Sequence, residues 1–385
     1  MIIKEVSAKS ILDSRGEKTI QIFIKTDFEN FSASAPQGKS TGKYEAKPYK
    51  LSLEEDIKTI KKFSDYFSEE ILEKFDDLKR IEDIVEGHVG ANTLFALESA
   101  ALKALAKEMK KEIWELIAPN SKKFPKLAGN CVGGGKHSTI GGKKPDFQEF
   151  LLIPNLKSVK ENFEKNKKLK EEAKFLLKNK DEKFKGERND EDAWNTSLNE
   201  KEVFDLLKKL EIHLGVDVAA SSFFKRKKYH YENPKLDRTI EEQFDYISNL
   251  IKNYGLFYIE DPFEEEDFES FAKLLKKFPD SLIVGDDLTA TNPKLLDKAI
   301  KMKSINAIIV KPNQIGSLIK VKEVCELAKK NNIKIVFSHR SGETKENILA
   351  DLAFGFQADF FKCGISGKER EVKIKRLIEI EKSLK

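Results

Sequence analysis

In the second half of this 385-residue chain, short apolar runs end in turn at Asp217, Glu260, Asp286, Lys311, His339 with Arg340, and Lys362. Steps of 43, 26, 25, 28 and 23 residues separate these positions, and after the first step each is the length of one strand-helix unit. Three of the groups are carboxylates. Packed together they repel unless a cation holds them, and a hard divalent ion with oxygen ligands meets that need. Mg²⁺ suits an all-carboxylate site completed by water and substrate, whereas zinc would call for a histidine or cysteine set. Alone, any one of Asp217, Glu260 and Asp286 reads as a strand-end ion pair; in order, the three read as a metal site.

Lys311 emerges from the apolar run Ile305-Asn306-Ala307-Ile308-Ile309-Val310. Burial and neighbouring cations lower a lysine pKa, so Lys311 is expected to act as a general base. Lys362 is a second cation, suited to stabilising negative charge as it develops. Ser338 to Thr344 bring together a guanidinium, hydroxyls and backbone amides, a cradle for phosphate or carboxylate. The pattern is that of a base, a dication and an anion clamp.

Such groups must be gathered by a scaffold. Ile212 to Ala219, Leu256 to Ile259, Leu282 to Val284, Ile305 to Val310, Ile333 to Phe337 and Asp359 to Phe361 are short apolar runs of the fully buried kind. Helical patterns separate them. Thr239 with Glu242 is a capping box, Asn292-Pro293 an N-cap followed by proline, and Phe268, Phe271, Ala272 and Leu275 line one helix face. The alternation predicts an α/β fold with parallel strands, closed into a TIM-like barrel whose carboxyl-end mouth collects the polar positions. Ahead of it, Ile20 to Thr26 reads as a strand and Asn92 to Ile117 as one long helix, a small α+β unit. Pro36 to Gly42 is a loop.

The 70 Lys and Arg exceed the 65 Asp and Glu by only 5, too little to argue for nucleic acid on charge alone. No stretch approaches the roughly 18 apolar residues of a membrane span, and the N-terminus lacks the apolar core of a signal peptide, so a cytoplasmic protein is expected. Cys131, Cys325 and Cys363 are too far apart for a zinc site or disulfide framework and read as packing residues. Lys157 to Lys180 reads as a solvated helix, with Leu169, Ala173 and Leu176 on its apolar face, and Lys225 to Tyr231 as an exposed hairpin.

At these residues the sequence resembles the enolase family over nearly its whole length. The likeness is carried, in order, by Asp13-Ser14-Arg15-Gly16, Ser40-Thr41-Gly42 with Glu45-Ala46, Gly134-Gly135-Lys136-His137, Phe147-Gln148-Glu149-Phe150, Asp217 to Ser221, Ile259-Glu260-Asp261-Pro262, Gly285 to Leu288, Lys311 to Gly316 and Ser338 to Thr344. The resemblance implies an N-terminal α+β domain, residues 1–124, capping an enolase-type barrel, residues 125–385. It implies reversible dehydration of 2-phosphoglycerate to phosphoenolpyruvate with two Mg²⁺ ions, in a homodimer. On that likeness Asp217, Glu260 and Asp286 hold the first ion and Ser40 helps hold the second. Lys311 is the base, Lys362 lies near the substrate carboxylate, and Arg340 and Ser341 contact the phosphate. His137, Gln148, Glu149 and His339 surround the substrate, and Glu191 is the acid.

The chain departs from the family pattern where Asn189, Asp192 and Ala193 replace glycines around Glu191, residues that resist the backbone angles glycine permits. Gln37 and Lys39 replace small residues beside Ser40. Two other readings stay open: a relative acting on another carboxylate, against which the Arg340-Ser341 cradle speaks, and a binding protein on the same scaffold, for which loss of Lys311 or a metal carboxylate would have spoken.

Overall fold

Alternation in Lys18–Lys25 puts Ile20, Ile22 and Ile24 on one face, and all three are fully buried. In the computed structural model, which describes residues 1–39, 42–68 and 70–384, this strand is the middle of an antiparallel sheet with Glu5–Leu12 and Asn30–Ser34. The helices Leu53–Phe67 and Ala91–Glu108 pack on it. The long helix expected from Asn92 to Ile117 is in fact two, Ala91–Glu108 and Ile113–Ile117. The apolar periodicity stops at Met109, and Lys110 turns left-handed with φ 55°, which no continuing helix allows.

Among the described residues, eight strands close on themselves: Lys126–Gly133, Glu149–Ile153, His213–Asp217, Tyr258–Glu260, Leu282–Gly285, Ala307–Val310, Lys334–Ser338 and Phe360–Gly364. The last pairs with the first in parallel and completes the barrel. Glu149–Ile153 is the exception to the parallel expectation, running antiparallel to both neighbours. Its beginning therefore lies at the rim where the others finish, which brings Gln148 and Glu149 beside Asp217. A wholly apolar plug apart from one hydroxyl fills the interior, built from Ala128, Leu151, Ile153, Tyr258, Leu282, Val284, Ala307, Ile309, Val336 and Phe360. Lys362 is not a strand-end residue as expected but sits inside its strand, which runs on to Gly364.

The two expected helix starts form: Thr239 and Glu242 cap Ile240–Tyr254, and Asn292 caps Pro293–Met302. On Val159–Lys180 the expected Leu169 and Ala173 are buried, while Leu176 is half-buried and its neighbour Leu177 takes the buried place. The basic run folds as a hairpin whose tip, Arg226-Lys227, has φ 50° and 62°, while Tyr229 and Tyr231 turn inward. All three cysteines are buried and unpaired.

The N-terminal unit is stitched across the barrel mouth by backbone. Gln37 and Gly342 exchange N–H···O bonds of 2.7 and 2.9 Å, Ser14 N–H donates to Glu343 O at 2.7 Å, and Ala46 N–H to Gln314 O at 2.8 Å. Buried side chains add to this: Asn313 donates to Asn92 at 2.9 Å and to Pro36 O at 3.1 Å. The helix Ala91–Glu108 that delivers Asn92 is itself held by Asp56. Its carboxylate accepts from Lys50 N–H (3.0 Å), Gly90 N–H (2.8 Å) and the Thr93 hydroxyl (2.6 Å).

Asp56→Ala leaves those donors buried without acceptors and should cost about 3 kcal/mol, while Asp56→Asn, which keeps one acceptor oxygen, should cost less. Urea denaturation measures both, and equal stability of the two variants would refute the role given to the carboxylate.

Candidate active site

The rim bonds that extend the barrel ladders aim the functional side chains. Val218 N–H donates to Glu260 O at 3.0 Å, Asp261 N–H to Val284 O at 3.1 Å, and His339 N–H to Lys362 O at 3.1 Å. One cavity of about 30 Å³ is lined by Lys39, Glu45, His137, Gln148, Glu149, Glu191, Asp217, Asp286, Lys311 and Ser338 to Ser341, among others. Glu260 and Lys362 are buried immediately beside it, at 0% and 2% exposure. Every predicted site residue is thus brought together except Ser40, which lies outside the described residues.

Two lysines hold the carboxylates. Lys362 reaches Asp217 (2.9 Å), Glu260 (2.7 Å) and Glu149 (3.2 Å), and Lys311 pairs with Asp286. Burial by itself would lower the pKa of Lys362, but the Asp217, Glu149 and Glu260 carboxylates outweigh it and hold the ammonium well above its usual range. Lys311 likewise is pushed up, not down as expected: burial works downward, and the contact with Asp286 overrides it. Two ammonium groups do not neutralise this much negative charge. Burial and the Glu191 carboxylate raise Glu149 to about 8, and burial and Asp286 raise Asp287 to about 8. Glu260 is pushed well up by burial and Asp217.

The donor set fits a small dication. Asp217, Glu260 and Asp286 offer hard oxygens, and among the described residues Gln148 Oε1 and Glu149 Oε2 are buried acceptors with no donor. Two further groupings come close enough to suggest an ion, His137 with Glu149 and Glu191, and Asp261 with Asp286 and Asp287. Both are engaged otherwise. His137 and Glu191 already form an ion pair at 3.2 Å, and the two Asp261 oxygens accept from Asp286 N–H (3.0 Å) and Asp287 N–H (2.7 Å). Asp261 therefore braces the turn that presents Asp286, a role the sequence motif could not disclose.

Glu191 is 2% exposed and inside the site, so the altered loop still delivers it. Asn189 Oδ1 accepts from Glu191 N–H at 3.0 Å and Ala193 N–H at 2.9 Å, closing the loop as a side-chain turn. Of the three replaced glycine positions only Asp192 has a positive φ, 65°, a conformation aspartate tolerates better than most. Its carboxylate is anchored by Arg188 at 2.7 Å, by Lys170 at 3.3 Å and by Ser366. Lys39, another departure, bonds Asp190 at 2.9 Å and so ties the segment up to residue 39 to this loop. The Glu191 carboxylate receives Asn130 Nδ2 at 2.9 Å and lies 3.5 Å from His339. Burial would raise its pKa, but His137 and His339 together hold it well below the usual range. Burial pulls His137 down, and Glu191 more than compensates, so the imidazole ends above its usual value; in His339 burial wins and the ring is lowered.

At the anion clamp, Arg340 is gripped by Glu45 through contacts of 2.9, 3.0 and 3.2 Å. Gly38 has no side chain because a Cβ there would fall on the guanidinium. Ser341 Oγ accepts from Lys39 N–H at 2.8 Å and from Arg15 at 3.2 Å. A 30 Å³ cavity admits about one water, so any larger ligand requires lining side chains such as Glu45 and Lys311 to shift. Sequence reasoning quoted Glu45 and Asp261 within motifs but gave them no role, and Asn130 carried no signal at all.

Comparison with known families and proteins bears on this geometry. Residues 3–117 match the model described as enolase, N-terminal domain, and residues 121–385 that described as enolase, C-terminal TIM barrel domain. The chain is 36% identical to a protein named enolase from Methanosphaera stadtmanae, over 100% of this chain and 97% of that one. It is 34% identical to an enolase from Pyrobaculum aerophilum (99% and 96% covered) and 33% identical to one from Archaeoglobus fulgidus (99% and 97%).

The pairing of His137 with Glu191 predicts that the imidazole titrates above the ordinary range in the wild type and lower in Glu191→Gln, where burial acts without that carboxylate. The ring C2 proton followed by NMR over about pH 5 to 9 tests this, and an unmoved midpoint would mean that the pair does not govern His137.

Proposed function

Because the chain belongs to the enolase family, we propose that this lyase interconverts 2-phosphoglycerate and phosphoenolpyruvate, with residues 1–124 as its capping domain and 125–385 as its catalytic barrel. The observation that carries the reading is the single buried cluster in which Lys311 and Lys362 hold Asp217, Glu260 and Asp286 beside the Glu191–His137 pair. A cation-hungry carboxylate group, a lysine base and the Glu191–His137 pair then line one cavity.

Asp217, Glu260 and Asp286 would hold one Mg²⁺ and Ser40 would help hold a second; when bound, the ions supply positive charge against which a dianionic carboxylate can form. Were Asp286 so engaged, Lys311 would lose the partner that keeps it protonated. Burial, Arg340 and Lys362 then all act to lower its pKa, which suits removal of the proton beside the substrate carboxylate. Lys362, 3.2 Å from Glu149, which lies outside that ligand set, would face the charge that develops there. Arg340 and Ser341 bind the phosphate, Arg340 exchanging Glu45 for it. Gln148, Glu149 and His339 shape the rest of the substrate shell. Hydroxide leaves poorly, so Glu191, beside His137 at 3.2 Å, would give a proton to the departing oxygen, releasing water.

On the same reading the protein works in glycolysis and gluconeogenesis, in the cytoplasm, as a homodimer with a small-molecule substrate and no nucleic acid. Among the described residues no helix is long and apolar enough to cross a membrane.

Purified protein should form phosphoenolpyruvate from 2-phosphoglycerate by direct absorbance only while Mg²⁺ is present, and a chelator should stop it; no product with both in excess rejects the reading. Lys311→Ala should lower kcat at least about a hundredfold and abolish exchange of the carbon-bound proton with solvent, with circular dichroism unchanged. Glu191→Gln should retain that exchange while turnover falls. If both survive at wild-type rates, another group supplies the acid.

A further inference from the structure

Each of the three carboxylates divides its two oxygens in the same way. Glu260 Oε1 meets the Lys362 ammonium at 2.7 Å, while Oε2 accepts from the Tyr258 hydroxyl at 2.7 Å. Asp217 Oδ2 meets Lys362 at 2.9 Å and the Gln148 amide at 3.4 Å, while Oδ1 accepts from Ala219 N–H at 3.1 Å. Asp286 Oδ2 meets Lys311, while Oδ1 accepts from the Gln314 amide at 3.3 Å. One oxygen of each group is thus committed to a neutral donor of the scaffold, and the other to a lysine ammonium that a dication could replace.

The Tyr258 hydroxyl is the least expected of the three donors. Tyr258 stands two residues before Glu260 on one strand, so both side chains point into the barrel. It is fully buried and belongs to the plug, where its companions carry no polar side-chain atom. Its hydroxyl therefore projects from an apolar floor onto one carboxylate oxygen.

Resting on the ligand set assigned under Proposed function, we propose that Tyr258 sets the metal selectivity of the site by denying one oxygen of Glu260 to the ion. With Oε2 held and the other two carboxylates similarly divided, the three assigned carboxylates present one oxygen each. That count suits Mg²⁺, which demands six-coordinate geometry and keeps several waters. It disfavours Ca²⁺, which takes more ligands at longer distance and accepts carboxylates through both oxygens. Without the hydroxyl, Glu260 is released to offer both. Tyr258 is a positioning residue: it acts through Glu260 and meets neither substrate nor ion.

Titration calorimetry with MgCl2 and with CaCl2, on the wild type and Tyr258→Phe, gives the ratio of the two dissociation constants. The Phe variant conserves volume, so the fold should be retained. The expected result is a shift of that ratio toward Ca²⁺ by about tenfold or more, in keeping with the size of effects from groups behind metal ligands. Tyr258→Leu, which also lacks the hydroxyl, should shift it in the same direction. Where a variant is less stable, the rise of its thermal midpoint with each ion reports the same ratio. An unchanged ratio in a wild-type background that binds Mg²⁺ overturns this inference alone. A wild type that takes up neither ion overturns the ligand assignment and this inference with it.

Discussion

Negative charge concentrated where water is scarce is the constraint around which this molecule is organised. Asp217, Glu260, Asp286 and Glu149 share a space in which like charges cannot be screened, and Lys311 and Lys362 supply only part of the balance. Such a cluster is tolerable only where donors are placed rigidly, since a buried carboxylate without a partner is far costlier than one with it. The closed barrel gives that rigidity. Its ladder bonds run past the strand ends, through Val218, Asp261 and His339, so the carboxylate-bearing residues are extensions of the sheet and not free loops.

The same charge economy reaches into the N-terminal unit. Glu45, brought over the mouth by backbone bonds from Gln37 and Ala46, occupies the guanidinium of Arg340. An anion clamp is thereby kept neutral by a carboxylate of the chain itself. On the proposed function an entering phosphate would exchange one anion for another and would not have to desolvate a bare cation, and the small cavity shows how closely these side chains otherwise fill the space.

The loop that bears Glu191 illustrates how a conformation usually left to glycine is reached by other means. Asn189 substitutes side-chain bonds for backbone freedom, and Asp192 takes the single left-handed position with its carboxylate fastened by Arg188 and Lys170. Ala193 needs no unusual angle and is simply packed at 0% exposure. The strain of one left-handed residue is offset locally by ionic contacts, and the loop becomes stiffer than a glycine-rich one would be.

Much of this was legible in the linear chain. Evenly spaced apolar runs with a polar residue at each end announce a barrel and its mouth, because strand burial and strand-helix length are local properties of composition. The capped starts of Ile240–Tyr254 and Pro293–Met302 were legible for the same reason. Three things were not. The antiparallel course of Glu149–Ile153 depends on which edge is left open when the barrel closes, and no local pattern encodes that. The upward displacement of Lys311 depends on the distance to Asp286, 25 residues earlier in the chain, and the expectation from burial and neighbouring cations had the opposite sign. The roles of Asn130, Asp261 and Tyr258 depend on which oxygen of a carboxylate each one touches. Residue type and spacing carry what a segment does with its own neighbours in sequence; electrostatic sign and hydrogen-bond assignment are sums over neighbours in space, and those exist only once the barrel has closed.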